Sequence, residues 1–351
     1  MRILITYGQQ PPYPPFGAPM VQAFNALGHR AGLLCVRDRP WWGAAAKRMP
    51  EPWKSRWQWD PVAYANEQLL QAAKAFRPDA VLEIGGDLFF PDTLQALRRQ
   101  GATLAVWLTE GPFAGAPPPV LAEYDVQASN SQIAVEQLRR AGMSRAAYAP
   151  FATDPSWFKP SQVEQPPTRR SVGFVGAYSP KRAAVLDSVS DLGLELWGPD
   201  WDTSATSAAL RQTLCGPQGV FGQALVRCYQ RLPVFINIQR EHTMVTAQGG
   251  HAVGSGLAWR HFDVPACGSA MVSEAVVELG EAFQIGREVE AFTTTEELRD
   301  KVQYLQTHAP QRLAMIRRAR QRVLDEHTYL HRARWWSEQL QRGCGSAARR
   351  V

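Results

Sequence analysis

No run of apolar residues in this chain approaches the roughly 20 needed to cross a bilayer; the longest, such as Ala31–Val36 and Thr103–Leu108, are strand-sized. The opening Met1–Thr6 is too short for the apolar core of a signal peptide, and no cleavage-type segment follows it, so it reads as a buried first strand and the expected location is cytoplasmic. Cysteine is scarce. The five residues Cys35, Cys215, Cys228, Cys267 and Cys344 include no Cys-x-x-Cys pair, and an odd, scattered set argues against a disulfide framework and against a zinc site. They are expected to be reduced and mostly buried. Repeats of solenoid period are absent, and a composition of 45% hydrophobic, 10% aromatic and 20% charged residues excludes a disordered or low-complexity chain. What is present is 351 residues, enough for about two domains at roughly 150 residues each. The net charge of +6 permits an anionic partner such as phosphate, nucleic acid or an acidic membrane, and is equally that of an ordinary soluble surface.

Short β-rich runs alternate with helical stretches. Strands are expected at Arg2–Tyr7, Ala31–Val36, Asp79–Ile84, Thr103–Leu108 and Asp125–Ala128, with helices at Met20–Gly28, Pro61–Phe76, Pro91–Gln100 and Ser131–Ala141. The segment Phe151–Pro167, with four prolines, reads as a linker, after which the alternation resumes. Strands follow at Ser171–Val175, Leu194–Trp197, Val234–Ile238 and Ala270–Ser273. Helices are expected at Arg182–Leu192, Val226–Arg231, Leu257–Ala266, Thr295–His308, Gln311–Glu326 and Tyr329–Gln341. This is the pattern of two doubly wound α/β domains, over residues 1–153 and 154–330, with a helix and tail over 331–351 packing back toward the first. Ligands are expected at the carboxyl ends of the strands and in the cleft between domains. Segment Arg39–Trp59 stands apart: five tryptophans lie among Lys47, Arg48, Lys54 and Arg56. Such interleaving suits peripheral contact with an anionic membrane, a sugar-stacking wall or a nucleic-acid groove, or a Trp-rich insertion packed on its own domain.

The most informative stretch runs from Gly254 to Ser273. Gly254 and Gly256 let a loop approach a ligand closely and open a helix, whose free N–H groups favour a diphosphate. Asp263, seven residues past Gly256, falls about two turns on along that expected helix, on the same face. A carboxylate there can accept both hydroxyls of a ribose. Gly268 and Ser269 lead into a buried strand. An ordinary Gly-rich turn before a helix is the plainer reading of the same residues.

Arg260, Phe262, Asp263, Ala266, Cys267 and Gly268 resemble the Arg-x-Phe-Glu-x-x-Ala-Cys-Gly pattern of the CgeB-like (spore-maturation type) glycosyltransferases of the GT-B fold, with Asp263 in place of the glutamate. The resemblance extends along the chain. Phe174-Val175-Gly176 with Pro180 and Arg182 looks like the opening of the family's second domain, Gly198-Pro199-Asp200-Trp201 like its Gly-x-x-Trp, and Asp154, Phe158 and Pro160 like its inter-domain hinge. Tyr229, Asn237-Ile238 and Glu326-His327-Thr328-Tyr329 are similar to later family elements. Related retaining enzymes carry a further glutamate where this chain has Ser255, so that role does not transfer. The fold implied is two Rossmann-like domains facing across a cleft, the first binding the acceptor and the second a nucleotide-diphosphate sugar, with no metal expected.

Breaking a sugar–phosphate bond leaves a nucleoside diphosphate, so cations and N–H dipoles must meet it. Gly176, Lys181, Arg182 and Arg260 are the candidates for that cradle, with Gly256, Asp263, Gly268 and Ser269 completing the donor site. Glu110, beyond the strand Thr103–Leu108, and Asp87, after Gly85-Gly86, are candidate bases for the acceptor; Asp87 is also a typical turn-capping carboxylate. If configuration is retained there is no base to find. The lone Asp200-Trp201-Asp202 triplet is rejected as a metal signature, and His242 and His251 lack a carboxylate at ligand spacing. His327 is expected to pack. The expected function is glycosyl transfer to a cell-surface glycan or lipid-linked precursor. Alternatives are transfer to a hydroxylated DNA base or a protein, a sugar-nucleotide epimerase, and a non-catalytic sugar-binding protein.

Overall fold

The structure of the chain is a computed structural model; it describes residues 1–8, 17–36, 50, 60–86, 88–161, 171–203, 205–216, 219–239, 243–245, 251–253 and 256–347. Arg39–Trp59, apart from Pro50, therefore lies outside the described residues, as do Asp87, His242, Gly254, Ser255 and the side chain of His251. The chain divides into two compact units, one of Met1–Ala149, Thr243–Ala252 and Arg332–Val351, the other of Pro150–His242 and Val253–His331.

In the first unit β1 (Arg2–Tyr7), α1 (Gly17–Ala26), β2 (Arg30–Cys35), α2 (Pro61–Phe76), β3 (Ala80–Gly85), α3 (Pro91–Arg99), β4 (Thr103–Leu108), β5 (Val126–Ser129), α4 (Gln132–Arg140) and β6 (Ala147–Tyr148) succeed one another. The strands form a six-stranded sheet in the order β2-β1-β3-β4-β5-β6, parallel throughout. The runs Ile3–Tyr7 and Thr103–Leu108 are buried along their whole length, as central strands of a parallel sheet must be. Polar chemistry sets the ends. Asp60 caps α2 by accepting from the Val62 N–H at 2.8 Å, Pro61 fills the first helical position, and Arg77 closes the helix in the left-handed region. Ser131 caps α4 in the same way.

The second unit repeats the plan with β7 (Val172–Val175), α5 (Pro180–Asp187), β8 (Leu194–Trp197), α6 (Ala208–Gln212), β9 (Leu214–Gly216), α7 (Gly222–Arg231) and β10 (Val234–Asn237). The strands β11 (Thr243–Val245) and β12 (His251–Val253) pair with each other. Then come α8 (Arg260–Ala266), β13 (Ala270–Glu274), α9 (Val277–Ala282), β14 (Glu290–Phe292), α10 (Thr295–Thr307), α11 (Ala309–Glu326) and α12 (Tyr329–Ala347). The sheet order is β14-β13-β10-β7-β8-β9. Its core includes Phe174, Leu196, Trp201, Ile236 and Val272. From residue 332 on, the last helix counts with the first unit. There Trp336 is fully buried with its ring 6.1 Å from that of Trp107, and Ser337 Oγ lies 2.9 Å from His29 Nε2.

Three expectations change. The helix expected over Leu257–Ala266 begins only at Arg260, and Gly256 sits at φ +82, outside the helical region. Asp263 therefore lies in the first turn of a seven-residue helix, and the same-face argument linking it to Gly256 does not hold. The helix expected over Arg182–Leu192 is α5, capped by Ser179, followed by a separate 3-10 turn at Ser190–Leu192. Of the four described free cysteines only Cys267 is buried; Cys35 and Cys228 are half-buried and Cys215 is exposed. Elements such as α6, β9 and β14 are too short for hydrophobic periodicity to register. Among the described residues no helix is long and apolar enough to cross a membrane.

Candidate functional site

In the second sheet β7 pairs with β8 on one side and β10 on the other, so the winding direction reverses between β7 and β10. Ligands of open α/β sheets bind beyond the carboxyl ends of the strands at such a switch point. Here those ends are Val175-Gly176 and Asn237-Ile238, and a small cavity beside them is lined by Val175, Tyr229, Asn237, Arg260, Val264 and Met271.

The candidate phosphate groups fare differently. Arg182 is buried and directed inward: one Nη donates to Ala177 O at 2.9 Å, the other to Ile238 O at 3.1 Å, and the guanidinium stacks on the Phe174 ring. It thereby ties the loop after β7 to the end of β10. Lys181, one residue earlier, stays at the surface and pairs with Glu274 at 2.6 Å. Arg260 is half-buried at the start of α8 and lines the cavity. Gly176 donates to Trp197 O at 2.9 Å and accepts from Trp201 Nε1 at 2.8 Å. The Gly256 carbonyl accepts from Gln239 Nε2 at 3.2 Å. Asp200 and Asp202 are exposed on either side of the buried Trp201.

Asp263 is buried, and its Oδ1 accepts from the Thr153 hydroxyl at 2.6 Å. Burial pushes its pKa well above the usual carboxylate value, the Thr153 bond working against that and the charge of Asp154 with it. Ser269 is also buried, and its hydroxyl lies within hydrogen-bond distance of the carbonyls of Tyr229 and Leu232, its single proton shared between them at the carboxyl end of α7. Ser269→Ala removes the one donor that these two carbonyls share. The variant should be less stable by about 1–3 kcal/mol in a urea titration. Gly268 lies two residues past α8 at φ +86, where an added Cβ would come 3.5 Å from Pro160.

One network was not foreseen from the sequence. The fully buried His261 places Nδ1 2.9 Å from Ala258 O, which can only accept, so Nδ1 carries the proton. Nε2 then accepts from Asn237 Nδ2 at 2.8 Å, and Asn237 also reaches Ser273 Oγ at 3.1 Å. This pins the chain before α8 to the ends of β10 and β13. Desolvation drives the imidazole down to about 3, so it is neutral throughout the physiological range. Its only sequence signal is its place between two pattern residues, Arg260 and Phe262. His327 packs between Phe262 and Phe283 and donates to Ala282 O.

In the first unit Glu110 is half-buried two residues past β4, just before a cis Gly111–Pro112 bond. Asp87 lies outside the described residues, and the segment that follows it is held. The buried Glu83 accepts from the Leu88 N–H at 3.2 Å, and Asn66 donates to Leu88 O and accepts from the Phe90 N–H. Among the described residues no cluster of three or more His, Cys, Asp or Glu side chains suits a metal ion.

Residues 181–338 match the model of a family described as glycosyl transferase-like. Three solved structures share the whole chain path. A glycosyltransferase from Rickettsia africae superposes with a TM-score of 0.65 at 10% identity, covering 97% of this chain and 98% of that one. Sucrose-phosphate synthase from Thermosynechococcus elongatus gives 0.64 at 13% identity, with 99% of each chain covered. The Anabaena protein HepE in complex with UDP-glucose gives 0.62 at 12%, covering 97% and 99%. The fold is GT-B. No curated protein matches the sequence. Set on the GT-B frame, Gly176, Lys181, Arg182, Gly256, Arg260, Asp263, Gly268 and Ser269 all fall in the second unit, whereas Glu110 belongs to the first.

Proposed function

We propose that this chain is a glycosyltransferase of the CgeB-like group, taking a nucleoside-diphosphate sugar on its second unit and an acceptor on its first. The observation that carries the reading is the clustering of Lys181, Arg260, Gly176 and Gly256 about the β7/β10 switch point, all but Gly176 within the stretch that matches the glycosyl transferase-like family. Lys181 and Arg260 meet the diphosphate, and Arg182 holds the ends of the two strands in register beneath it. Asp263 offers its carboxyl to the ribose while Thr153 steadies one oxygen. Glu110 and Asp87 are the candidate groups for the acceptor, a cell-surface glycan or lipid-linked precursor, approached through the basic, Trp-rich Arg39–Trp59 segment.

A thermal-shift panel of UDP, GDP, TDP, ADP and CDP sugars and their free diphosphates tests the donor site. UDP-glucose is the first member because HepE was solved with it. Ligand at 100 times its dissociation constant should add about 2.7 kcal/mol of stability. A shift with one base supports the reading; no shift with any of them removes it. Altered free sugar nucleotide formed without any acceptor would point to an epimerase instead.

A further inference from the structure

We propose that Glu274 is a specificity-determining residue that reads the sugar of the donor and disfavours the bare nucleoside diphosphate; this rests on the reading of the second unit as a nucleotide-sugar site. Glu274 is the last residue of β13, at the carboxyl edge of the sheet and next to β10. Its carboxylate is fixed from two sides. One oxygen meets Lys181 Nζ on α5 at 2.6 Å, and the other accepts the Gln239 N–H at 2.9 Å. Gln239 in turn donates its side-chain amide to Gly256 O at 3.2 Å, so the carboxylate is linked to the chain that opens toward α8.

The pair is not sealed off. The side chains of Lys181 and Glu274 retain 28% and 22% of their exposure, so a ligand can reach both. An ionised carboxylate has about four lone-pair positions, and two of those on Glu274 are taken by Lys181 and Gln239. The remainder can accept hydroxyl hydrogens without disturbing either bond. A cation and an acceptor-only anion side by side suit a ligand that is anionic at one end and hydroxylated immediately beyond. A glycosyl diphosphate has that form. A free nucleoside diphosphate does not: its terminal phosphate has more charge, has no hydroxyls to offer, and would face a lysine whose charge Glu274 already offsets.

The test is calorimetric titration of UDP-glucose and UDP into the wild-type protein, Glu274→Gln and Glu274→Asp. Glutamine keeps an acceptor for the Gln239 N–H and the same volume, so a wild-type melting curve is expected. Glu274→Gln should bind UDP-glucose roughly 10-fold or more weakly, the worth of a charge-assisted hydrogen bond, and bind UDP as well as or better than wild type. Glu274→Asp should recover part of the preference. An equal change for both ligands, or none, overturns the assignment of Glu274 alone. If the wild-type protein binds neither, the titration is repeated with the sugar nucleotide and diphosphate that shift its melting curve; if none of the panel does, the donor-site reading falls and this inference with it.

Discussion

Asp263→Asn and His261→Gln should tilt the pH dependence of stability in opposite directions, although the two residues lie on one turn of α8. His261 titrates near 3 in the folded protein against 6.5 when unfolded. Below pH 6.5 the unfolded chain therefore takes up a proton that the folded chain refuses, and folding loses about 1.4 kcal/mol per pH unit, or about 2 kcal/mol by pH 5. Asp263 works the other way. Its folded value is raised well above 3.8, so as the pH climbs past 3.8 the unfolded chain releases a proton the folded chain keeps. Stability then falls with rising pH until the folded value is passed. Above about 3.8 and below 6.5 the two contributions therefore oppose each other for as long as the pH stays below the folded value of Asp263. Urea unfolding from pH 4.5 to 6.5 checks this. Relative to wild type, Asp263→Asn should gain stability as the pH rises and His261→Gln should lose it, the latter at about 1.4 kcal/mol per unit. Variants that track the wild type across this range would mean that the two groups are not buried uncharged. Asp263→Asn should at the same time weaken nucleotide binding if the carboxyl meets the ribose, so the two readouts separate packing from recognition.

Gly198→Ala should be the most damaging single-methyl change in the second unit. Gly198 follows β8 at φ +152, a conformation L side chains rarely adopt, and an added Cβ would overlap the carbonyl of Gly176. That carbonyl accepts from Trp201 Nε1, and Trp201 is buried edge-on to Phe174 and Tyr178. Backbone cannot move aside as a flexible side chain can, so the methyl must part β7 from the turn after β8. A cost above about 3 kcal/mol follows, read as a lower denaturation midpoint. Because Gly176 sits at the switch point, nucleotide affinity should fall with it. Normal stability in Gly198→Ala would show that the turn can open without cost.

Much of the architecture was legible in the chain itself. Apolar runs such as Thr103–Leu108 and Val234–Asn237 are strands because only a strand buried on both faces accommodates them. Pro61 and Pro91 mark helix starts, where a missing N–H costs nothing. The ordered motifs from Gly176 to Gly268 were legible as one candidate site, and all of them fall in the second unit, since backbone turns and glycines are local properties. What sequence could not decide is which way each polar side chain faces. Lys181 and Arg182 are neighbours on α5, yet one lies at the surface against Glu274 and the other is buried on two carbonyls. The partners of Asp263 and His261 stand 110 and 24 residues away in the chain. Whether a carboxyl or an imidazole keeps its charge depends on how much water those distant residues exclude, and only the packed sheet and its helices determine that.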